Sequence, residues 1–203
     1  MKTYLLSILL SLSFCGVFAQ EGHHPAKVGQ HHKEEAHYKN KIAITLGYTY
    51  VPDGFGVELP NIQFQNDIFV PTLGIDYFRR FADRWSVGVI ADIELDQYFI
   101  KLPSLVNDLA RENVVVLCLI ASYEMLPGWD IYAGPGAELE RNESFAVLKI
   151  GSEYEFIRGE NWGIGPFFSY DFKGNGDDEY NAFEFGLSFN RFFGAKFQRK
   201  NAR

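Results

Sequence analysis

Four glutamates stand in two pairs, and the members of each pair are two residues apart. Glu138 and Glu140 form the first pair, and Glu153 and Glu155 form the second, with a short connection at 141–144 between them. Residues two apart in a strand point to the same face, and opposed residues of an antiparallel hairpin approach to about 5 Å. Carboxylate oxygens suit hard divalent cations. The favoured interpretation is a salt-bridged interior that fills a small barrel, and the sharper hypothesis is a divalent-cation site at these four glutamates.

The histidines form a second candidate metal-binding set near the N-terminus. They are His23, His24, His31, His32 and His37, and the segment 20–40 that contains them is polar and has no apolar period. Neutral imidazoles bind zinc, copper and nickel. A flexible metal-binding segment is one interpretation, and a solvated linker is the other.

The distribution of the histidines argues against an enzyme. No histidine follows His37, so the rest of the chain has no Ser–His or Cys–His pair for nucleophilic catalysis. No Gly-rich loop follows a strand and opens a helix, as phosphate binding would require. Paired carboxylates perform acid–base chemistry on sugars, but packing explains them better here. We expect a protein that is not an enzyme and has no cofactor beyond a divalent cation.

The elements that must position these carboxylates are β-strands. From Ile42 to Tyr50, large apolar residues alternate with Ala, Thr and Gly, which is the pattern of a strand with two different faces. Similar runs predict eight strands, at 41–51, 68–81, 85–100, 113–125, 129–140, 145–156, 162–172 and 180–193. Leu102, Leu105, Val106 and Leu109 have helical spacing, which predicts a short helix between the third and fourth strands.

Three features indicate that the apolar face points outward, to lipid. Trp85, Trp129 and Trp162 each begin a strand after a short turn, so they form one ring at one rim, where aromatic residues favour a membrane interface. The opposite face has small residues that fit a narrow barrel interior. The apolar face is aromatic along its length, as at Phe168, Tyr170 and Phe172, which lipid accepts and a narrow core does not. Inward positions then hold many charged residues: Asp76, Asp92, Glu94, Asp96, Glu124, Glu138, Glu140, Glu153, Glu155, Asp171, Glu184 and Lys149, with Arg79 near the wider end.

Three of the prolines count against this interpretation. Pro71, Pro135 and Pro166 fall inside predicted strands, where each removes a donor from the hydrogen-bond ladder. The fourth predicted strand is also apolar on both faces.

The chain divides into four segments. Residues 1–19 have the positive start, apolar stretch and small-residue cleavage site of a signal peptide. A His-rich segment follows at 20–40, the strands occupy 41–193, and a basic tail occupies 194–203. The net charge is −7, from 26 acidic and 19 basic residues, which disfavours a nucleic-acid partner. Cys118 is the one cysteine after the signal peptide, and we interpret it as a small buried apolar residue.

The connections alternate in length. Those at 82–84, 126–128 and 157–161 are short, whereas those at 52–67, 101–112 and 173–179 are longer. On strand number, loop asymmetry and the tryptophan rim, residues 41–193 resemble the small eight-stranded outer-membrane β-barrels of Gram-negative bacteria. The resemblance implies an all-β fold, an eight-stranded antiparallel up-and-down transmembrane barrel with short periplasmic turns. It also implies the outer membrane as location, and its lipid and the barrel-assembly machinery as partners.

Two functions fit such a protein. The first is a non-enzymatic, porin-like barrel with an acidic interior and a cation-binding, metal-handling or transport-associated role. The alternative is a structural or surface-interaction protein that acts through its extracellular loops, of which 52–67 is the most apolar. An open pore for large solutes is not expected at this strand number.

Overall fold

The computed structural model describes residues 37–52, 54–56, 67–102, 108–176 and 178–197. Their alternating sequences form twelve strands, as the period of two predicts. The strands are β1 His37–Val51, β2 Gly54–Phe55, β3 Ile68–Arg80, β4 Trp85–Glu94, β5 Tyr98–Ile100, β6 Leu109–Arg111, β7 Val115–Leu126, β8 Trp129–Leu139, β9 Phe145–Tyr154, β10 Ile157–Arg158, β11 Trp162–Asn175 and β12 Asp178–Phe197. In this described part of the chain, no helix is long and apolar enough to cross a membrane.

Eight long strands close into an antiparallel barrel. Going round the wall, the order is β1, β3, β4, β7, β8, β9, β11 and β12, and β12 pairs with β1 again. Each long strand is thus paired on both sides with its neighbours in the chain. The predicted eight-stranded, up-and-down antiparallel barrel is confirmed. Closure pairs the edges that an open sheet would leave exposed.

The two faces of the wall differ as the alternation predicts. Along β7, Val116, Cys118 and Ile120 point inward and are buried, whereas Leu117 and Leu119 point outward and are exposed. The large apolar residues predicted on the outer face are exposed too, among them Phe168, Tyr170 and Phe172 of β11 and Phe185, Leu187 and Phe189 of β12. A wall of large exposed apolar side chains is what a lipid-facing barrel requires.

The fourth predicted strand, which is apolar on both faces, corresponds to β7, and its inner face belongs to a hydrophobic core. Its inward residues pack with Val51, Val70 and Phe145 in one buried cluster. Part of the barrel interior is therefore a hydrophobic core, and the polar side chains occupy the rest.

The two ends of the barrel are unlike each other. At one end, called the turn end, the connections are 81–84, 127–128 and 155–161, and both terminal strands have their outer ends there. Trp85, Trp129 and Trp162 each begin a strand at this end and are exposed, so the predicted aromatic rim is confirmed. The opposite end, called the loop end, has two long connections, at 52–67 and 95–114, and two short ones, at 140–144 and 176–177. The predicted long connection at 173–179 is therefore wrong, because β11 and β12 continue through most of it as paired strands.

A small second sheet lies within the loop-end connections. It joins β2, β5 and β6, with Phe55 opposite Phe99 and Tyr98 opposite Arg111. We call these three strands the loop sheet. The predicted third strand at 85–100 is therefore two strands, β4 and β5. The predicted helix is wrong at Leu109, which begins β6, because cross-strand pairing with Ile100 outweighs the local period; residues 103–107 lie outside the described residues.

The strand prolines occupy places where one ladder is already interrupted. Pro71 pairs with Tyr48 of β1, but the pairing of β3 with β4 begins one residue later, at Thr72. Pro166 pairs with Leu187 of β12, and the pairing with β9 begins at the next residue. Pro135 pairs with Leu148, and its pairing with β7 is interrupted. Each proline therefore lies at the end of one ladder or in a gap in it, where its missing N–H donor removes no regular ladder hydrogen bond.

Two glycines allow β1 and β12 to approach closely. Gly47 lies opposite Gly186, and a Cβ on either residue would collide with the backbone of the facing strand. These two strands extend beyond the prediction: β1 begins at His37 rather than at residue 41, and β12 ends at Phe197 rather than at residue 193. His37 pairs with Phe197, so both additions belong to the seam between the first and last strands.

The lipid-facing assignment predicts a depth-dependent effect of charge. Leu119 lies near the middle of β7 and is 67% exposed. If its surroundings are hydrocarbon, Leu119→Arg lowers the free energy of unfolding by about 2–4 kcal/mol, whereas Leu126→Arg, at the end of β7 opposite Trp129, costs about 0–1 kcal/mol. Urea unfolding of the protein in lipid vesicles measures both. Equal costs at the two positions would contradict the assignment.

Candidate functional site

The inward polar side chains form three groups along the barrel. The first, at the loop end, is built around Glu138 of β8, which is fully buried. Lys173 of β11 places its Nζ 2.6 Å from Glu138 Oε2 and 3.3 Å from Glu94 Oε1. The Tyr180 hydroxyl donates to Glu138 at 2.5 Å. Arg111 of the loop sheet also pairs with Glu138. A buried carboxylate requires such partners, because burial of an unpaired charge costs several kcal/mol, roughly.

Arg111 attaches the loop sheet to the barrel. Its side chain is fully buried, and its Nη1 donates to the Glu143 carbonyl oxygen at 2.6 Å and lies 3.6 Å from Glu140 Oε2. Its guanidinium stacks over the Phe145 ring at 5.1 Å. A guanidinium offers five donors in a fixed plane, so one side chain connects the loop sheet to Glu138 in the wall and to the β8–β9 connection.

Tyr98 makes a second attachment from the loop sheet. Its hydroxyl donates to Glu94 Oε2 at 2.7 Å. Burial raises the pKa of Tyr98 well above its usual value, so the hydroxyl keeps its proton and remains a donor. Asn142 adds a third contact, from its side-chain amide to the Ala110 carbonyl oxygen at 3.1 Å. The loop sheet is thus held on the barrel mouth by specific polar contacts.

The second group lies near the middle of the barrel around Lys149 of β9. Its Nζ lies 3.2 Å from Asp92 Oδ2, 3.1 Å from Asp171 Oδ1 and 3.0 Å from Glu184 Oε2. Ser169 also lies within hydrogen-bond distance of Lys149 and Glu184. One ammonium therefore serves three carboxylates from three different strands, β4, β11 and β12.

The third group lies at the turn end around Lys41 of β1. Its Nζ lies 2.9 Å from Glu153 Oε2 and 3.7 Å from Asp130 Oδ2. The Asn190 amide donates to Glu153 and, at 3.2 Å, to Glu155. Near the rim, Arg80 pairs with Glu124 at 2.8 Å and Arg158 pairs with Glu155 at 3.5 Å.

These three groups leave little free volume inside the barrel. A cavity of about 40 Å³ opens at the turn end between Lys41, Arg80 and Glu155. A second, of about 10 Å³, lies beside Lys149; about that much volume holds one water. A barrel of eight strands is normally filled by its own side chains in this way. Ion pairs and hydrogen bonds, rather than an aqueous channel, occupy the interior.

The structure separates the four predicted metal ligands. Glu138 lies opposite Phe145, and Glu153 lies opposite Asp130. The hairpin turns at 140–144, so Glu138 and Glu140 belong to the loop end, whereas Glu153 and Glu155 belong to the turn end. The prediction that the two pairs are cross-strand neighbours is wrong. The first pair lies beside the turn of the hairpin, whereas the second pair lies at the far end of the following strand. In the described ranges, no three His, Cys, Asp or Glu side chains are grouped to hold a metal ion.

The remaining predicted site residues have different outcomes. His23, His24, His31 and His32 lie outside the described residues, and His37 is described as the first backbone position of β1. Asp96 lies beyond the end of β4 and is exposed, so it is not an interior residue. Arg79 points outward and is exposed, since the inward phase of β3 falls on Asp76, Phe78 and Arg80. The other inward carboxylates are confirmed as interior residues.

Several residues that matter most were not predicted. The sequence prediction puts Lys41 at the start of a strand, Lys173 and Arg111 in connections, and Tyr98 within a strand, and gives none of them a role in the interior. The strand phase offers a signal for Lys173, which lies two residues beyond Asp171 on the same face. For Arg111 the local sequence gives no signal, because its position depends on how the loop folds over the barrel mouth.

No protein-family model and no curated protein sequence matches the chain. Among solved structures, Neisserial surface protein A superimposes with a TM-score of 0.50 at 11% identity, over 76% of this chain and 97% of that one. The chain has the fold of the small outer-membrane β-barrels. OprG from Pseudomonas aeruginosa (TM-score 0.43, 15% identity, 78% and 99% covered) and the outer membrane protein AlkL (0.46, 12%, 90% and 100%) are also similar. At these identities, the likeness of this barrel to Neisserial surface protein A concerns the fold alone.

The contacts of Arg111 predict a local effect of its removal. In Arg111→Ala, Glu138 keeps Lys173 and Tyr180, so the barrel wall remains folded. The loop sheet loses its buried attachment, at a cost of about 3–5 kcal/mol in local stability. Amide hydrogen exchange at Tyr98–Ile100 is then about a hundredfold faster or more.

The matched control is Arg141→Ala, which removes an exposed arginine from the adjacent connection. It should leave exchange in the loop sheet unchanged. Equal protection in the two variants would show that Arg111 does not hold the sheet, and faster exchange throughout β7 and β8 would show that its role is global.

Proposed function

We propose that the protein is a non-enzymatic outer-membrane barrel that presents the loop sheet, on a rigid base, outside the cell. The observation that carries the proposal is the attachment of the loop sheet by the fully buried Arg111, which contacts Glu138 and the Glu143 carbonyl oxygen. A surface that is ordered before binding avoids most of the entropy cost of ordering loops on contact. Loops on a rigid scaffold are where binding residues concentrate.

The location follows from the wall and the sequence together. Large apolar side chains cover the outside of the barrel, and the tryptophans form a rim at the turn end. The fold shared with Neisserial surface protein A supports the same location, as does the predicted N-terminal signal peptide. The short turns then face the periplasm and the loop sheet faces outward, as in bacterial barrels generally.

The absence of enzymatic activity remains part of the proposal. The sequence has no histidine after His37, so a triad of the serine-hydrolase kind is not available in the barrel. Most interior carboxylates are engaged with Lys41, Lys149, Lys173 and Arg111, which leaves them poorly placed to act as general acids or bases on a substrate.

A transport-associated role is the second candidate. It is favoured by the acidic interior, in which Lys149 alone faces Asp92, Asp171 and Glu184. It requires the three groups of ion pairs to separate so that a solute can pass, and that requirement makes it the weaker candidate. The His-rich segment remains a predicted metal-binding element.

Selective labelling tests the proposed orientation. Glu112 follows the loop sheet and Asp83 lies in a turn at the opposite end, and both are exposed. In a Cys118→Ala background, Glu112→Cys and Asp83→Cys each give one reactive thiol in the mature barrel. A membrane-impermeant maleimide is expected to label Glu112→Cys on intact Gram-negative cells, and Asp83→Cys only after the outer membrane is permeabilised.

The two positions serve as controls for each other. Labelling of Asp83→Cys but not Glu112→Cys on intact cells would show that the barrel has the opposite orientation and would overturn the proposal. Equal labelling of both variants in a soluble periplasmic fraction would show that the protein is not located in the membrane.

A further inference from the structure

A separate group of oxygen atoms lies beside Lys149 on three neighbouring strands. Thr45 of β1 faces Gly74 of β3, and Gly74 faces Asp92 of β4. Asp76 lies two residues beyond Gly74, on the same inward face of β3. Thr45, Asp76 and Asp92 are 4%, 5% and 4% exposed. Their side chains therefore meet inside the barrel, away from solvent.

Three of these oxygens make no hydrogen bond within the part of the chain that the structure describes. They are Thr45 Oγ1, Asp76 Oδ1 and Asp92 Oδ2. Asp92 Oδ2 lies 3.2 Å from Lys149 Nζ. Buried polar atoms are nearly always satisfied, and a buried group that is not needs an explanation such as an ion or a water. Lys149 satisfies Asp92 Oδ2, whereas Thr45 Oγ1 and Asp76 Oδ1 have neither a hydrogen bond nor an ion pair with a described residue. Two such atoms around one space point to a ligand.

Gly74 keeps this space open. A Cβ built on Gly74 would collide with Thr45 Oγ1 and with Asp92 Oδ1. Thr45, Asp76 and Asp92 line the cavity of about 10 Å³ beside Lys149, which accepts one particle of the size of a water molecule. The glycine therefore provides a cradle between the two oxygen-bearing side chains on its flanks.

The local charge favours a cation in the cradle. Asp76, Asp92 and Glu184 line the cavity with Lys149, and Asp171 is a further partner of Lys149. Four carboxylates thus share the neighbourhood of one ammonium, and three of them pair with it directly. The next ammonium, Lys41, is engaged by Glu153 and Asp130. Surplus negative charge at low dielectric requires a counter-ion or a proton.

We propose that Thr45, Asp76 and Asp92 bind one monovalent alkali cation inside the barrel. The ligands are all oxygen atoms, as hard cations prefer. The described side chains include no cluster of three metal-binding groups, and the Lys149 ammonium opposes a doubly charged ion. The cation neutralises part of the acidic surplus and stabilises the junction of β1, β3 and β4.

The test compares sodium chloride with choline chloride at constant ionic strength, because choline is too large for the cavity. The full-length mature protein is unfolded with urea in lipid vesicles. Once sodium saturates the site, each tenfold rise in its concentration raises the folding equilibrium constant of the wild type up to tenfold. Asp76→Asn and Thr45→Val are expected to lose most of this dependence. Asp83→Asn removes an exposed carboxylate at the turn end and keeps the dependence.

A second measurement does not depend on the stability of a variant. In crystals of the wild-type protein grown with rubidium chloride, an anomalous peak is expected among Thr45 Oγ1, Asp76 Oδ1 and the Asp92 carboxylate. A wild-type stability that is the same in sodium and in choline overturns the proposal, because a bound proton or water would give that result. An equal response in Asp76→Asn, or no rubidium peak in the cavity, does the same.

Discussion

The structure depends on one constraint: eight strands enclose a space that only side chains fill. Every second side chain of each strand points into that space and has to be accommodated there. Here the inward phase provides many carboxylates. They are tolerated because Lys41, Lys149 and Lys173 come from three different strands and each bridges carboxylates of several others. A buried charge without a partner is far more costly than an exposed one. The ion pairs therefore fix the relative positions of strands that are distant in sequence, from inside a wall whose outer face is suited to lipid.

The two ends of the barrel use this interior differently. At the turn end, Arg80 and Arg158 are partly exposed and pair with single carboxylates at the rim. At the loop end, Arg111 is fully buried and extends the interior network into the loop sheet. Exposed pairs contribute little to stability, whereas contacts to a buried partner constrain geometry strongly. Among the described residues, Arg111 thus constrains the loop sheet more strongly than Arg80 and Arg158 constrain the turn end, which is the reason to place the function at the loop sheet.

Strand number, closure and the outward face were predictable, because each depends on the two-residue alternation of apolar side chains that is visible from Ile42 to Tyr50 and in the other predicted strands. Most interior carboxylates followed from the same phase. The grouping of those carboxylates was not predictable, since Glu138 and Glu153 share a face but lie at opposite ends of one hairpin. Arg111 and Tyr98 could not be assigned either, because their places depend on long-range pairing within the loop sheet. The oxygens around Gly74 required the register of three strands.

Ion pairs and a hydrophobic core together fill the barrel from one end to the other. Electrical recording in planar lipid bilayers tests it most directly. Purified protein that has inserted, as shown by heat-modifiable migration on gels, is expected to give no stable current steps, because Lys149 and its carboxylates occupy the middle of the barrel and Arg111 closes the loop end. Steady, ohmic channels from the wild-type protein would contradict the account, since they require a continuous aqueous path through the interior.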